Sequence, residues 1–321
     1  MTVQPLLRTV DLKKFFKVRG GLLHAVDGIN IEIAKGKTLG VVGESGCGKS
    51  TLGRVALRLL EATSGEIYFE GKDILKYKRA EMDKIRRQMQ IIFQDPFSSL
   101  NPRMSVFELI SEPLQMNHVC RDAAELADSI KQLMDTVGLA RRYVDTFPHE
   151  MDGGRRQRVG IARALALSPK LIVCDEPVSA LDVSIQAQIL NLLMDLQDEM
   201  ELTYMFITHD LSVVKHISDE IAVMYLGQCV ERCPTRELFN DPLHPYTKAL
   251  LAAIPRPRLS SRKDRTLIRG EVSDPINPKP GCRFAPRCDF SEDRCVYEDI
   301  PLIEKSAGHF VACALYRGNA I

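Results

Sequence analysis

Apolar positions along the chain fall into short blocks whose spacing switches between that of a strand and that of a helix. Leu12 to Val18 alternates, and Ile29–Ile33 follows and stops at the turn Lys35-Gly36-Lys37. Leu39–Val42 is continuously apolar, the mark of a strand buried on both faces. The period then becomes helical through Leu52, Val55, Ala56, Leu59 and Leu60. Glu66–Phe69 and Gln90–Phe93 read as further strands. From about Ser105 to Ala140 the pattern is helical and charged, with an interruption at Pro113 and a C-cap at Gly138. A second long helix begins after Gly154 and carries Val159, Ile161, Ala162, Leu165 and Ala166. Strand Leu171–Cys174, helix Ile185–Glu199 and strand Tyr204–Thr208 complete the series. Strand and helix in alternation predict an α/β fold around a mostly parallel, covered sheet.

The pattern breaks at residues 254–281, where Pro255, Pro257, Pro275, Pro278 and Pro280 punctuate a stretch rich in Arg, Ser and Asp. That composition reads as a linker or a loop-built module. Beyond it lie Cys282, Cys288, Cys295 and Cys313, while the other five cysteines (Cys47, Cys120, Cys174, Cys229 and Cys233) are scattered. The expected division is therefore residues 1–254 and 255–321. Cys229 and Cys233 form a CxxxC pair without a histidine nearby in sequence, and it reads as coincidence.

Composition narrows the function by exclusion. The 321 residues are 45% hydrophobic, enough for a sizeable core, and 43 basic side chains balance 42 acidic ones. A net charge of +1 argues against a protein built to hold nucleic acid. No apolar run approaches the roughly 18 residues of a membrane-spanning helix. The opening MTVQPLLRTVDLKK lacks the apolar centre of a signal peptide, so a cytosolic location is expected.

The chemistry is concentrated in two places. Gly43-Glu44-Ser45-Gly46-Cys47-Gly48-Lys49-Ser50, followed by Thr51, is a complete phosphate-binding loop between a buried strand and a helix. Its glycines let backbone N–H groups turn inward, Lys49 reaches the β- and γ-phosphates, and the Ser50 hydroxyl ligates Mg²⁺. Such a site needs a carboxylate at the end of a second buried strand, and Leu171-Ile-Val-Cys-Asp175-Glu176 supplies one. Asp175 would hold Mg²⁺ through water and Glu176 would act as general base. The ligand is a nucleoside triphosphate, with ATP expected.

The order of these motifs resembles the ATP-binding cassette of ABC transporters over about residues 8–255: phosphate loop, Gln94, Gly153-Gly154, Asp175-Glu176, Ser179-Ala-Leu-Asp182 and His209. The resemblance implies a RecA-like P-loop cassette with antiparallel β and helical subdomains, the latter at about 97–155, plus a small cysteine-bearing extension. It implies that Gln94 touches Mg²⁺ and a membrane subunit, that His209 holds the γ-phosphate, and that Asp182 acts across a dimer. Phe16 would stack on adenine, with Phe15 an adjacent alternative. GESGCGKSTLGR, FQDPFSSLNPR, DEPVSALDVSIQAQ, HPYTKALLAAIPRP and the tail GCRFAPRCDF are similar to ATPase subunits of dipeptide and oligopeptide importers. DLKKFFKV and STLGR look more like the second of their two paired ATPases. The partners so implied are a second ATPase, two permease subunits and an extracytoplasmic solute-binding protein, with no nucleic acid, at the cytoplasmic face of the membrane. Nickel and glutathione importers share these features, and a soluble, non-transport cassette ATPase is the rival from another class.

Two features set the chain apart. The signature loop, normally Ser-Gly-Gly-Gln in this family, reads Asp152-Gly153-Gly154-Arg155. A carboxylate there would face the partner's γ-phosphate, and like charges 4 Å apart near a surface repel by about 4 kcal/mol. Arg155 and Arg156 offer compensation, so the choice between an altered site and a neutralised pair stays open. The four clustered cysteines suit a metal centre that replaces a hydrophobic core. Their gaps exceed those of zinc knuckles, and the importer resemblance implies a [4Fe-4S] cluster.

Overall fold

The computed structural model describes residues 4–254 and 274–317. Pro255 and Pro257 of the proline-rich stretch lie outside them. The chain forms two compact units, one of Met1–Ile33, Thr38–Leu75 and Thr208–Ile321, the other of Ala34–Lys37 and Lys76–Ile207.

The first unit contains an antiparallel sheet in which strand Leu7–Val18 lies between Gly21–Ile29 and Ser64–Phe69, with Lys72–Asp73 at one edge. Leu12 opposes Ile29 and Phe16 opposes Leu23. The expected strand Ile29–Ile33 is not continuous: one strand, Gly21–Ile29, ends at Ile29, and only Glu32–Ile33 forms a further short strand. The polar positions of Gly21–Ile29, His24 and Asp27, face other side chains and so break the alternation. A second run of strands is ordered Ile303–Ser306, His309–Val311, Gln228–Pro234, Glu220–Tyr225 and Thr38–Val42, with only the last pair parallel. Every residue of Thr38–Val42 is buried, as its unbroken apolar character predicts. The helix that follows, Lys49–Ala56, stops before Leu59 and Leu60. Arg58 turns left-handed (φ 51°) and its guanidinium bonds the Ile74 carbonyl at 2.9 Å, leaving Leu59 exposed.

Residues 274–317 contain a short helix, Asp293–Tyr297, and the hairpin Ile303–Val311 that pairs Glu231 with Val311. Behind that pairing sits a saturated buried carboxylate. Glu231 accepts Leu243 N–H at 2.7 Å, His244 N–H at 2.9 Å and His309 Nε2 at 2.8 Å. Glu231, Cys233 and His309 are the one group among the described residues whose three ligand-type atoms lie within 4.8 Å of one another. A histidine distant in sequence is therefore close to Cys233, while Cys229 is not part of the group. With three donors already on Glu231, the arrangement fastens the hairpin to the sheet.

The second unit is built on three parallel strands, Met89–Ile92, Leu171–Asp175 and Thr203–Thr208, with Ile91 beside Val173 and Val173 beside Met205. Its helices start where caps stand in the sequence. Ser105 and Glu108 form a capping box for Val106–Met116, and Asp122 caps Ala123–Thr136, which ends at left-handed Gly138. Pro113 does not interrupt the first of these helices. Val106, Leu109, Ile110 and Leu114 bury one face of it, and that burial outweighs one missing backbone hydrogen bond. The helix expected after Gly154 begins at Gly153, because Asp152 is its cap.

Candidate functional site

The phosphate loop is closed on itself. Lys49 is buried and donates from Nζ to the Gly43 carbonyl at 2.8 Å and the Glu44 carbonyl at 3.0 Å. Gly48 has φ +102°, and a Cβ there would lie 1.9 Å from the Ala25 carbonyl oxygen. Only glycine fits both the angle and the approach. The Glu44 N–H donates to Tyr246 Oη at 2.9 Å. Ser50 and Thr51 occupy the first turn of the Lys49–Ala56 helix, while Ser45 and Gly46 face solvent. Cys47 is buried, and burial pushes its thiol above the ordinary range, as befits a small filler.

Phe15 and Phe16, which the sequence left equivalent, differ in surroundings. Phe15 stacks on His24 with centroids 3.9 Å apart, whereas the half-buried Phe16 ring has the Lys14 ammonium 4.9 Å from its centroid. His209 follows directly on the buried strand Thr203–Thr208 and is exposed, and Asp210 beside it caps the Leu211–Ile217 helix.

In the other unit, Asp175 closes its strand fully buried. Glu176, the next residue, is left-handed at φ 48°, an uncommon geometry for a side chain of its size and one that gathers at functional sites. Its N–H donates to the Ile207 carbonyl at 2.9 Å, and its Oε2 accepts from Gln94 Nε2 at 2.8 Å. Thus two residues 82 apart in sequence meet side chain to side chain. Asp182 caps Val183–Met200 through the Ile185 N–H at 3.0 Å.

The Asp152 loop is a neutral pair. Asp152 Oδ1 accepts the Arg155 N–H at 2.8 Å, and Oδ2 lies 2.9 Å from Arg155 Nη1. The Arg155 guanidinium in turn lies 4.8 Å from the centre of the Tyr143 ring. Gly153 packs against Leu181 and Gly154 against the first turn of the Val183–Met200 helix: a Cβ would stand 2.9 Å from Leu181 Cδ2 and 2.6 Å from Ile185 Cγ2 respectively. The two glycines are thus demanded by packing as well as by any approach to a ligand.

Cys282, Cys288, Cys295 and Cys313 line one cavity with His244, Phe284, Phe290 and Ile300. No three of their sulfurs lie within 4.8 Å of one another, whereas one tetrahedral zinc would set sulfurs about 3.8 Å apart. Cys282 and Cys288 are half-buried and Cys313 is buried. Burial raises all three thiols, Cys282 to about 11. The four cysteines thus share one small cavity without forming a compact single-ion site.

Sequence reading missed two partners of the phosphate loop, Tyr246 and Arg287, which both contact Glu44. The signal available was Cys-Arg-Phe-Ala-Pro-Arg-Cys itself, two cations in a loop with no acid among them.

Comparison with known proteins agrees with this layout. The family described as "ABC transporter" matches residues 26–179, and "Oligopeptide/dipeptide transporter, C-terminal region" matches 230–295. Among similar proteins are the oligopeptide transport ATP-binding protein AppF of Bacillus subtilis, 48% identical over 98% of both chains, and the dipeptide transport ATP-binding protein DppF of Haemophilus influenzae, 47% identical over 96% of both. OppF of Salmonella typhimurium, an oligopeptide transport ATP-binding protein, is 50% identical over 96% of this chain and 95% of its own. The dimeric cassette MJ0796 in a post-hydrolysis state bound to ADP and Pi shares the fold, with TM-score 0.66 and 28% identity over 72% of this chain and 99% of that one. With its cassette fold and full-length similarity, the chain belongs to the ABC transporter family, among the oligopeptide and dipeptide transport ATP-binding proteins.

Proposed function

We infer that this chain binds and hydrolyses ATP to drive the import of dipeptides or oligopeptides through separate membrane subunits. The observation that carries the catalytic part is the Gln94–Glu176 hydrogen bond, which fixes the carboxylate beside buried Asp175. Glu176 orients the attacking water and takes its proton, and Gln94 keeps the carboxylate in place and links it to a loop facing solvent. Lys49 exchanges the Gly43 and Glu44 carbonyls for phosphate oxygens when nucleotide arrives. Gly43 to Thr51 cradle the phosphates, Phe16 stacks on the adenine, and His209 holds the γ-phosphate. Ser50, Asp175 and Gln94 offer a hydroxyl, a carboxylate and an amide oxygen, the hard donor set that suits Mg²⁺. When bound, that ion neutralises charge on the β- and γ-phosphates.

The reading extends to assembly. A second ATPase pairs with this one, with Asp152, Gly153, Gly154 and Asp182 facing its nucleotide, and the pair works beneath two permeases fed by a solute-binding protein. No helix among the described residues is long and apolar enough to cross a membrane, which suits a peripheral subunit on the cytoplasmic face. Residues 1–254 form the cassette and 255–321 an extension in which Cys282, Cys288, Cys295 and Cys313 hold a [4Fe-4S] cluster. That cluster stabilises a segment poor in other core residues. The test of function is ATP turnover and peptide uptake by the assembled complex in vesicles. Turnover without peptide stimulation would sink the transport assignment.

A further inference from the structure

Of the two arginines between the first two clustered cysteines, Arg287 reaches the phosphate loop directly and Arg283 reaches the segment that supports it. Arg287, next to Cys288, donates from Nη1 to Glu44 Oε2 at 2.9 Å and from Nη2 to Glu44 Oε1 at 3.2 Å, a bidentate pair. Its Nη1 also lies 3.2 Å from Tyr225 Oη. The Arg287 side chain is 7% exposed and Glu44 26%. Arg283, next to Cys282, bonds the Asp27 carboxylate and the Leu226 carbonyl. Gly227, the following residue, donates to the Cys47 carbonyl at 2.8 Å. The loop is thus held at Glu44 by one arginine and supported at Cys47 through the segment that the other fixes.

The same surface joins the loop to the thiol cavity. Phe284, which lines that cavity, packs against Tyr225 and Tyr246 with centroids 5.4 and 5.3 Å apart. Tyr246 accepts the Glu44 N–H. Glu44 is not one of the residues the phosphate-loop pattern prescribes, and its side chain turns to the tail while its carbonyl receives Lys49. A buried guanidinium is costly unless paired, so Glu44 and Arg287 fix each other's position.

We propose that Arg287 is a positioning residue of the ATP site, holding Glu44 and hence the phosphate loop in place, and that filling of the adjacent four-cysteine centre sets how firmly it does so. The second clause rests on the cluster reading given above. The first does not. Loss of the Cys288 anchor frees the 282–288 loop, and with it the clamp.

The test uses the full chain, purified without air, with ATP–Mg²⁺ affinity and turnover measured on the same samples. Arg287→Ala and the conservative Glu44→Gln are expected to weaken ATP affinity roughly tenfold, raising KM more than they lower kcat. The charge-swapped pair Glu44→Arg with Arg287→Glu should recover part of the loss. Equal falls in KM-independent turnover and thermal stability, with no recovery in the swap, would overturn the clamp. Cys288→Ser should lose both the broad visible absorption of an iron–sulfur centre and the same tenfold in affinity, whereas Arg287→Ala keeps the absorption. Lost absorption with unchanged affinity would overturn the coupling and leave the clamp standing. Wild-type protein without bound iron would overturn the cluster reading and the coupling together, and the charge swap would still decide the clamp.

Discussion

Glu176 and Cys47 show how local geometry decides what a reactive side chain can do. Glu176 is held in a left-handed conformation, with its N–H on Ile207 and its carboxylate on Gln94. Removing the base while keeping the shape, as in Glu176→Gln, should lower ATP turnover by about 10²–10⁴-fold and leave ATP affinity near that of the wild type. Steady-state turnover and equilibrium binding on one preparation check this, and full activity in the variant would remove Glu176 from the reaction. Cys47 sits in the same functional region without a reactive environment, because burial raises its thiol and it lies 3% exposed. Alkylation at neutral pH, mapped by mass spectrometry, should therefore label half-exposed Cys120 well before Cys47. Early labelling of Cys47 would show that the loop opens in solution.

At the level of single elements, the Gly153–Leu165 helix combines three constraints at one end. Asp152 caps it, Arg155 neutralises the cap, and the two glycines let Leu181 and Ile185 close over it. Gly154→Ala should destabilise the chain by about 1–3 kcal/mol in urea unfolding, since its methyl would press on Ile185. Ile185→Ala removes the obstructing carbon, so the double variant should cost less than the two single changes added. Strict additivity would mean that the contact is relieved elsewhere. Asp152→Ser keeps a capping oxygen and Asp152→Ala does not. The second should therefore cost about 1 kcal/mol more. This helix also marks where sequence reading succeeds and fails. Its apolar face, the phosphate loop and the Asp175-Glu176 strand end were legible because each is a contiguous pattern with a fixed period. The Gln94–Glu176, Glu44–Arg287 and Glu231–His309 pairs were not, because their partners lie 82, 243 and 78 residues apart and only folding brings them together. Pro113 misled for the opposite reason: a local rule against helix was overruled by burial of the face around it.

For the molecule as a whole, the question is whether one copy of this chain suffices. The cassette MJ0796, which this chain resembles, is dimeric, and the second ATPase proposed above raises the question of which cassette would pair with this one. The Asp152–Arg155 pair bears on which cassette that is. On the proposed assembly Asp152 would stand where the family pattern has a serine, and its charge is balanced by Arg155, whose Nη1 lies 2.9 Å away. Both side chains are about half exposed, so water screens the pair and its hold is weak. Two such loops in a homodimer would each put a loosely neutralised acid against a polyanion, whereas a different partner cassette would leave only one. Light scattering on Glu176→Gln, which should hold ATP without hydrolysing it, distinguishes these arrangements. The variant alone should remain a monomer with ATP–Mg²⁺ and should double its mass only when a second peptide-importer ATPase is added. If it forms a homodimer by itself, Arg155 is compensating fully and the asymmetric assembly is wrong. In that case Arg155→Ala should abolish the homodimer, because the uncovered Asp152 charge would then oppose the nucleotide it meets.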